Sequence, residues 1–580
     1  MPCRLIVSAL VLSLLVGAAL GAPPRRPNVI VVLTDDQGYG DLGVHGNPHV
    51  RTPNIDRLAR ESVRFKHFYV CLVCSPTRSS VLTGRYNYRT GIVDTYLGRS
   101  LMHPAEVTLA ERFARAGYRT GIFGKWHLGD NLPLRPIDRG FQEALVLKGG
   151  GIGQPSDLPG GSHYHDPVLL KNGQVRRYSG YCSDIYTTAA IDFISASADQ
   201  PFFVYLPFNC PHDPLEAPEP EMSSYLEEKE KLGRDQFPAQ GYPLPPKLDL
   251  ERIAKLYAMV SNIDTNVGRL LKAVADRGIA DSTIVVFLTD NGPAFARYNA
   301  GLHGLKGTTY EGGIHVPCFI RWPGHFPAGR EVAQAAAHID LVPTLLDACQ
   351  VPAGNEPKLD GRSLLPLLRG DTAAWPERTL YFQWHRGDVP EFGRAFAARA
   401  KRFKLLRPEQ QAARPHPPLE LYNLEEDPFE QVDIARKHPE IVARMYHDYL
   451  DWFRDVCSRG FGPIRIQVGD PRENPTLLTR QDWHPLDERA PGLGGFWELE
   501  VTRPGRYEIS LHVGKSHDIA TAHVRIQAEH LEQSVAPDTE SLVFHKAFLS
   551  AGPARLHAWL DGSQPASRVR DAKITWISDQ

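Results

Sequence analysis

Short apolar runs closed by polar turns recur along the first two thirds of the chain. "PNVIVVLTDDQGYGD" holds a β-branched run, Val29 to Leu33, that stops at Asp35 and Asp36. "QPFFVYLPFNCPHDP" and "STIVVFLTDNG" repeat the design, the second stopping at Asp290 and Asn291. Runs of this length and composition predict strands buried on both faces. Between them, "TPNIDRLARESV", "TLAERFARAG" and the stretch around Lys255–Arg277 place apolar residues at helical spacing, and "HIDLVPTLLDACQV" predicts a further helix. "VRFKHFYV" predicts a return strand, and "YRTGIFGKWHLG" a strand that ends at Lys125. Strands alternating with helices predict an α/β domain with a large, mainly parallel sheet flanked by helices.

The pattern changes twice further on. "RTLYFQW", "AARAKRFKLLR" and "LELYNLEEDPFE" predict strands of a small antiparallel sheet, followed by an amphipathic helix in "PEIVARMYHDYLDWFRDV". Beyond Gly460 come six short alternating runs separated by Gly, Pro and Asp, from "GFWELEV" to "AKITWIS". That rhythm predicts an all-β sandwich. The expected layout is a catalytic α/β domain over 27–375, an α+β subdomain over 376–460 and a sandwich over 462–580. No tandem repeat or low-complexity tract interrupts it.

Composition narrows the class. With 580 residues, 42% hydrophobic and 23% charged, the chain suits several folded domains rather than a disordered protein. A net charge of −2 gives no support for nucleic acid as a partner. Leu5 to Leu20 is mostly apolar and ends in the small-x-small pattern Ala19-Leu20-Gly21. It falls short of the ~20 residues a span needs and predicts a signal peptide over 1–21, an exported (periplasmic or secreted) protein and no membrane span in the mature chain. Of eight cysteines, seven follow the leader. An odd number in an exported chain leaves at least one unpaired.

The polar residues that end the strands carry the candidate chemistry. Ligands of parallel sheets sit beyond the carboxyl ends of the strands, where Asp35, Asp36, Lys125, His127, His212, Asp290 and Asn291 are expected. A strand-end Asp or Asn often only closes a turn, but several such clusters together point to a site. The donors of Asp35, Asp36, Asp290 and Asn291 are all oxygen. They suit a hard divalent cation, calcium before magnesium because calcium tolerates irregular geometry. Arg78, Lys125, His127, His212 and Lys306 add cations and proton carriers, a set that fits a compact oxyanion such as sulfate or phosphate. Lys125 and His127 alternate in "GKWHLG", so an extended segment would place them on one face. Cys74, four residues before Arg78, reads equally as a nucleophile of lowered pKa or as a small buried residue.

"CSPTRSSVLTGR" resembles the signature of the type I sulfatases, C-x-P-x-R followed by Thr-Gly. "LTDDQGYGDLG", "TPNIDRLA", "GKWHLG", "PHDP", "FLTDNG" and "GLKGTTYEGGIHVP" follow in family order, so the resemblance spans about residues 27 to 458. It implies an alkaline-phosphatase-like fold and hydrolysis of aryl or carbohydrate sulfate esters. It implies that Cys74 is oxidised by a formylglycine-generating enzyme, which reads Cys74, Pro76 and Arg78, to Cα-formylglycine. The hydrated aldehyde would attack sulfur with one hydroxyl and expel sulfate with the other. Asp35, Asp36, Asp290 and Asn291 resemble the calcium ligands, with residue 74 against the metal. Arg78, aided by Lys125, would hold the hydrate. His127 would serve as base, and His212 and Lys306 would contact the ester, one of them protonating the leaving oxygen. A further sulfate-contacting residue is implied near "KGGGIGQPSD", without an assignable position, and His315 stands where the family more often has Arg. "PHDPLEAPEPEMSSY" and the 145–180 loop are expected to shape the subsite beyond the sulfate. Trp497, Trp559 and Trp576 belong either to the sandwich core or to a carbohydrate-binding face. A phosphonate or phosphodiester hydrolase of the same superfamily, or a non-catalytic protein that binds sulfated glycans, are the competing readings.

Overall fold

Three parallel strands at the centre of a ten-stranded sheet set the position of everything functional in the protein. A computed structural model describes residues 26–579 except 155, 159–160, 162, 198–199, 355–356, 372–374, 409–416, 487–493, 515–519 and 562–568. The leader thus lies outside the described residues. Asn28–Thr34 pairs in parallel with Phe202–Pro207 on one side and Thr283–Thr289 on the other. Arg119–Lys125 adds to Phe202–Pro207, and Glu143–Leu147 to Arg119–Lys125, both in parallel. Antiparallel pairs close both flanks, through Cys318–Arg321 on one and Val168–Lys171 with Gln174–Arg177 on the other. The expected architecture is therefore present, with flanking strands the apolar runs did not reveal because they are short and partly polar.

Burial on both faces explains the unbroken runs. Ile30 and Val32 enter one core with the helices Cys182–Ser195 and Leu250–Asp276, whereas Val29, Val31 and Leu33 enter the opposite core with the helix Leu341–Ala348. The registers fix the ends. Thr34 lies opposite Thr289, so Asp35 and Asp290 leave adjacent strands at the same level, and the Asp290 amide donates to the Thr34 carbonyl at 3.1 Å. Gly124 has φ 138°, and a Cβ there would lie 1.9 Å from the Pro207 carbonyl oxygen. Only glycine lets the strand close up one residue before Lys125.

The helix Cys74–Thr83 opens at the cysteine, buries all ten of its residues and stops at Gly84, whose φ of 70° suits a glycine cap. "VRFKHFYV" forms two very short strands, Val63–Phe65 and Phe68–Tyr69, that belong to different sheets. Four antiparallel strands between Leu380 and Asn423 pack against the helix Pro439–Val456, with Phe396 stacked on Tyr449 at 3.8 Å.

From Ile466 the chain builds two facing sheets around one apolar core, antiparallel except where Ile466–Val468 pairs in parallel with Gly495–Val501. The six runs noted in the sequence are all strands, and four further strands were hidden by their brevity or polarity, Glu529–Val535 most clearly. Trp497 is fully buried, edge-on to Trp483 at 4.6 Å, and its Nε1 donates to the Thr479 carbonyl. Trp559 and Trp576 are half-buried, the first stacked on His523, the second under Arg503. Trp497→Ala should destabilise the sandwich by about 3–5 kcal/mol, read as an earlier unfolding transition in chemical denaturation; an unchanged midpoint would contradict its core role.

Candidate active site

The carboxyl ends of the central strands bring together the residues singled out by the sequence. Asp35, Asp36, Cys74, Arg78, Lys125, His127, Asp290 and Asn291 are all buried there, with His212 and Lys306 reaching in from partly exposed positions. The Asp36 amide donates to Asp290 Oδ1 at 3.2 Å, which holds Asp36 at a φ of 63°. Asn291 Nδ2 donates to Asp36 Oδ1 at 2.8 Å. Three cations match three carboxylates. Lys125 Nζ lies 2.5 Å from Asp35 Oδ2, Lys306 Nζ 2.5 Å from Asp36 Oδ1, and Arg78 donates Nε and Nη2 to Asp290 Oδ2 at 3.1 and 2.8 Å. Arg78 Nη1 donates to the Lys125 carbonyl at 3.0 Å, tying the cysteine helix to the strand end.

Burial opposes the charge of Asp35, but Lys125, His212, Arg78 and Lys306 outweigh it and hold the carboxyl well below the usual range. Asp290 goes the other way: burial first, then the neighbouring Asp35, push it up to about 7 against the pull of Arg78 and Lys125. Although each carboxylate has its own cation, Arg78 does not offset both the burial of Asp290 and the charge of Asp35 beside it. The donor set fits a divalent ion on independent grounds. One ligand atom each of Asp35, Cys74 and Asp290 lie within 4.8 Å of one another, as do those of Asp35, Asp36 and His212. Asp35 Oδ1 and Asn291 Oδ1 are buried without a protein partner, two oxygens left over where a hard cation would take them.

Cys74 itself is fully enclosed, and burial pushes its thiol up, so the reading as a low-pKa thiolate fails. Among the described residues all seven cysteines are unpaired; Cys71 is buried, its Sγ directed at the Gln383 carbonyl, with its thiol pushed up to about 12 by burial. His127 departs from the expected geometry. The strand ends at Lys125, and His127 has φ 61°, so the two do not share the face of one extended segment. Instead His127 Nε2 donates to the Thr95 carbonyl at 2.5 Å, leaving Nδ1 without a partner. Burial, with Lys125 and Arg78 nearby, drives this imidazole well below its ordinary value of 6.5 and keeps it neutral. His212 donates Nδ1 to the Asp213 carbonyl at 2.8 Å and turns Nε2 to Asp36 Oδ2 at 3.8 Å.

A cavity of about 500 Å³ opens over Cys74, His127, His212 and Lys306. Gly150, Gln154 and Ser156 line it from the glycine-rich segment in which no residue could be assigned; a Cβ on Gly150 would lie 2.3 Å from His127 Nε2. Of "PHDPLEAPEPEMSSY" only His212 reaches the cavity. The expectation that this loop shapes the outer subsite is corrected: Ala217 and Tyr225 turn into the core beside the long helix. His315 is no substrate reader either. It is buried away from the cavity, Nδ1 at 3.3 Å from Glu311 and Nε2 on the Lys66 carbonyl. Thr95, Tyr96, Arg386, Arg480 and Gln481 complete the wall, from segments that carry no motif and so gave no signal.

With that geometry in place, comparison with known proteins decides the family. The family model described as Sulfatase matches residues 27–351, and the model for the N-sulphoglucosamine sulphohydrolase C-terminal region matches 301–452. The chain belongs to the sulfatase family. Human arylsulfatase A is 31% identical over 533 residues, covering 80% of this chain and 95% of its own. Human N-acetylgalactosamine-6-sulfatase is 33% identical over 406 residues, covering 64% of this chain and 71% of its own. A crystal structure of Ps i-CgsB in complex with k-i-k-neocarrahexaose is 27% identical with a TM-score of 0.64, covering 76% of this chain and 95% of that one. Phosphonate monoester hydrolase of Agrobacterium radiobacter, 21% identical with a TM-score of 0.51, over 75% of this chain and 96% of that one, shares the fold. This sulfatase is a sulfuric ester hydrolase of the alkaline-phosphatase superfamily. No helix among the described residues is long and apolar enough to cross a membrane.

If the leftover oxygens serve a cation, calcium should raise the thermal transition of this sulfatase, and Asp290→Ala should remove most of the gain. At a hundredfold excess over Kd the stabilisation is about 2.7 kcal/mol. A transition that ignores calcium in the unmodified protein would contradict the site.

Proposed function

We propose that this sulfatase cleaves aryl or carbohydrate sulfate esters with residue 74, converted from cysteine to formylglycine by a formylglycine-generating enzyme, at a site that holds one calcium ion. The observation that carries the reading is that Asp35 and Asp290 reach the enclosed Cys74, with Asp36 and Asn291 bonded beside them and two buried oxygens unsatisfied. The names of the relatives favour a sulfated aryl compound or amino sugar as substrate. Calcium, when bound, offsets the charge of the carboxylates and of the transferring sulfate. The hydrated aldehyde supplies the attacking hydroxyl and a second hydroxyl through which sulfate is released.

The chain's own residues do the rest. Arg78 and Lys125, fixed by Asp290 and Asp35, hold the hydrate. Lys306 binds the sulfate and keeps its proton: burial opposes its charge, but Asp36 raises its affinity for the proton above the ordinary lysine value. The leaving oxygen takes its proton from His212 Nε2 in the imidazolium form, since Nδ1 already donates to the Asp213 carbonyl; the Asp36 carboxylate, 3.8 Å from Nε2, faces that charge. His127 accepts the proton of the residue-74 hydroxyl at Nδ1, because the Thr95 carbonyl commits Nε2 as a donor. Catalysis then belongs to the layout of α/β domain 27–375 and subdomain 376–460, in an exported protein.

Tryptic peptides containing residue 74 should show conversion: the side chain loses hydrogen sulfide and gains one oxygen. Cys74→Ala should abolish turnover, and His127→Ala should lower kcat by about 10²–10⁴-fold. The base form of His127 is lost only as pH falls through its depressed pKa. The acid limb of kcat assigned to it should therefore lie below 6.5 and vanish in His127→Ala. Full activity in Cys74→Ala, or an aryl phosphodiester turned over faster than the aryl sulfate, would overturn the proposal.

A further inference from the structure

The sandwich was expected as an accessory unit, yet it forms part of the cavity wall. Arg480 and Gln481, from the loop between two of its strands, line the same space as Cys74 and His127. The loop is fastened to the catalytic domain. Gln481, itself buried, donates Nε2 to the Thr95 carbonyl and to Ser100 Oγ, both at 2.7 Å, and accepts from the Gly98 amide at 3.0 Å. On the sandwich side, Trp497 Nε1 holds the Thr479 carbonyl at 2.8 Å. Nearby, Glu473 accepts from Asn131 Nδ2 and the Leu132 amide, and the Gln467 amide donates to the Leu132 carbonyl. Arg480 is thereby carried on an anchored segment, its guanidinium 5.7 Å from the Trp483 ring.

A second guanidinium stands in the same wall. Arg386, from the segment after the strand Leu380–Gln383, packs over Tyr96 at 4.6 Å. Its Nη1 alone is engaged, with Asp94 at 3.0 and 3.1 Å and Thr95 Oγ1 at 3.3 Å; among the described residues no hydrogen bond from its Nε or Nη2 is found. Asp94 is buried and also accepts from Trp384 Nε1 at 2.9 Å, so it orients Arg386 from behind. No aspartate or glutamate among the described residues lines the cavity. In the reaction proposed above the sulfate is met by Lys306 and His212, and Arg386 and Arg480 of the same lining are given no part in it. Guanidinium is the side chain suited to planar, two-point recognition of carboxylate or sulfate. A cavity of about 500 Å³ has room for a ring beyond the sulfate.

We propose that Arg480 of the sandwich and Arg386 form a subsite for a second anionic group, so that the preferred substrate is a saccharide bearing another sulfate or a carboxylate next to the scissile ester. The inference rests on reading the Cys74 cavity as the catalytic pocket.

The test uses the full-length, calcium-loaded protein with residue 74 converted. Its probes are N-acetylgalactosamine 6-sulfate, the corresponding 4,6-disulfate, and the same 6-sulfated sugar linked to glucuronate. The expected result is a kcat/KM at least about tenfold higher for one of the doubly anionic probes than for the monosulfate. Which of the two is favoured tells sulfate from carboxylate. Arg480→Gln should bring that ratio to within about twofold of unity, and Arg386→Lys should lower it. In Cys74→Ala protein, calorimetric Kd values for the same three probes should show the same preference without turnover. A ratio near one for both doubly anionic probes, or a preference untouched by either substitution, overturns the subsite. Turnover of the monosulfate with a flat ratio leaves the catalytic reading intact. Converted protein that cleaves no sulfate ester sinks that reading instead, and the Cys74→Ala binding ratio then decides the subsite alone.

Discussion

Three carboxylates buried at the ends of two adjacent parallel strands are the constraint on which the rest of the structure depends. Removing such groups from water costs several kcal/mol each unless charge is returned to them. Lys125, Lys306 and Arg78 return it one for one, each from a different stretch of chain. The helix that begins at Cys74 is buried along its whole length, and its Arg78 reaches Asp290, a placement that sets the cysteine against the acids. The enclosed thiol and the two unsatisfied oxygens follow from the same arrangement.

Outward from that centre, each layer is aimed by the one beneath it. The Thr95 carbonyl is the clearest case. It takes a hydrogen bond from His127 Nε2 and another from Gln481 Nε2, so one backbone oxygen links the imidazole of the α/β domain to the sandwich. Asp94, one residue earlier, anchors Arg386 and Trp384 from the small antiparallel sheet. Residues 94–95 thus join three architecturally separate parts of the chain at the cavity edge.

The depth of legibility varied with how local the signal was. Asp35 and Asp290 could be found because each ends an apolar run, and a parallel sheet has only one place to put such ends. Lys125 and His127 were both found, but their expected shared face was wrong: a left-handed φ at His127, stabilised by a tertiary bond to Thr95, has no signature in "GKWHLG". His315 looked like a departure at the site and proved to be packing beside Tyr39 and Tyr69. Glu529–Val535 escaped as a strand because it lies at an edge and is mostly polar, with only Leu531 and Val535 turned to the core.

Sequence alone determined the α/β class, the metal-type donor set, the cysteine signature and the presence of a β-rich tail, since periodicity and motif spacing are properties of neighbouring residues. Only the tertiary structure decided that the tail closes the cavity, that Arg386 and Arg480 share a wall, and which nitrogen of His127 is left to accept a proton. Those facts depend on contacts between segments hundreds of residues apart, Thr95 with Gln481 and Asp94 with Arg386, whose side chains are ordinary in their own local context.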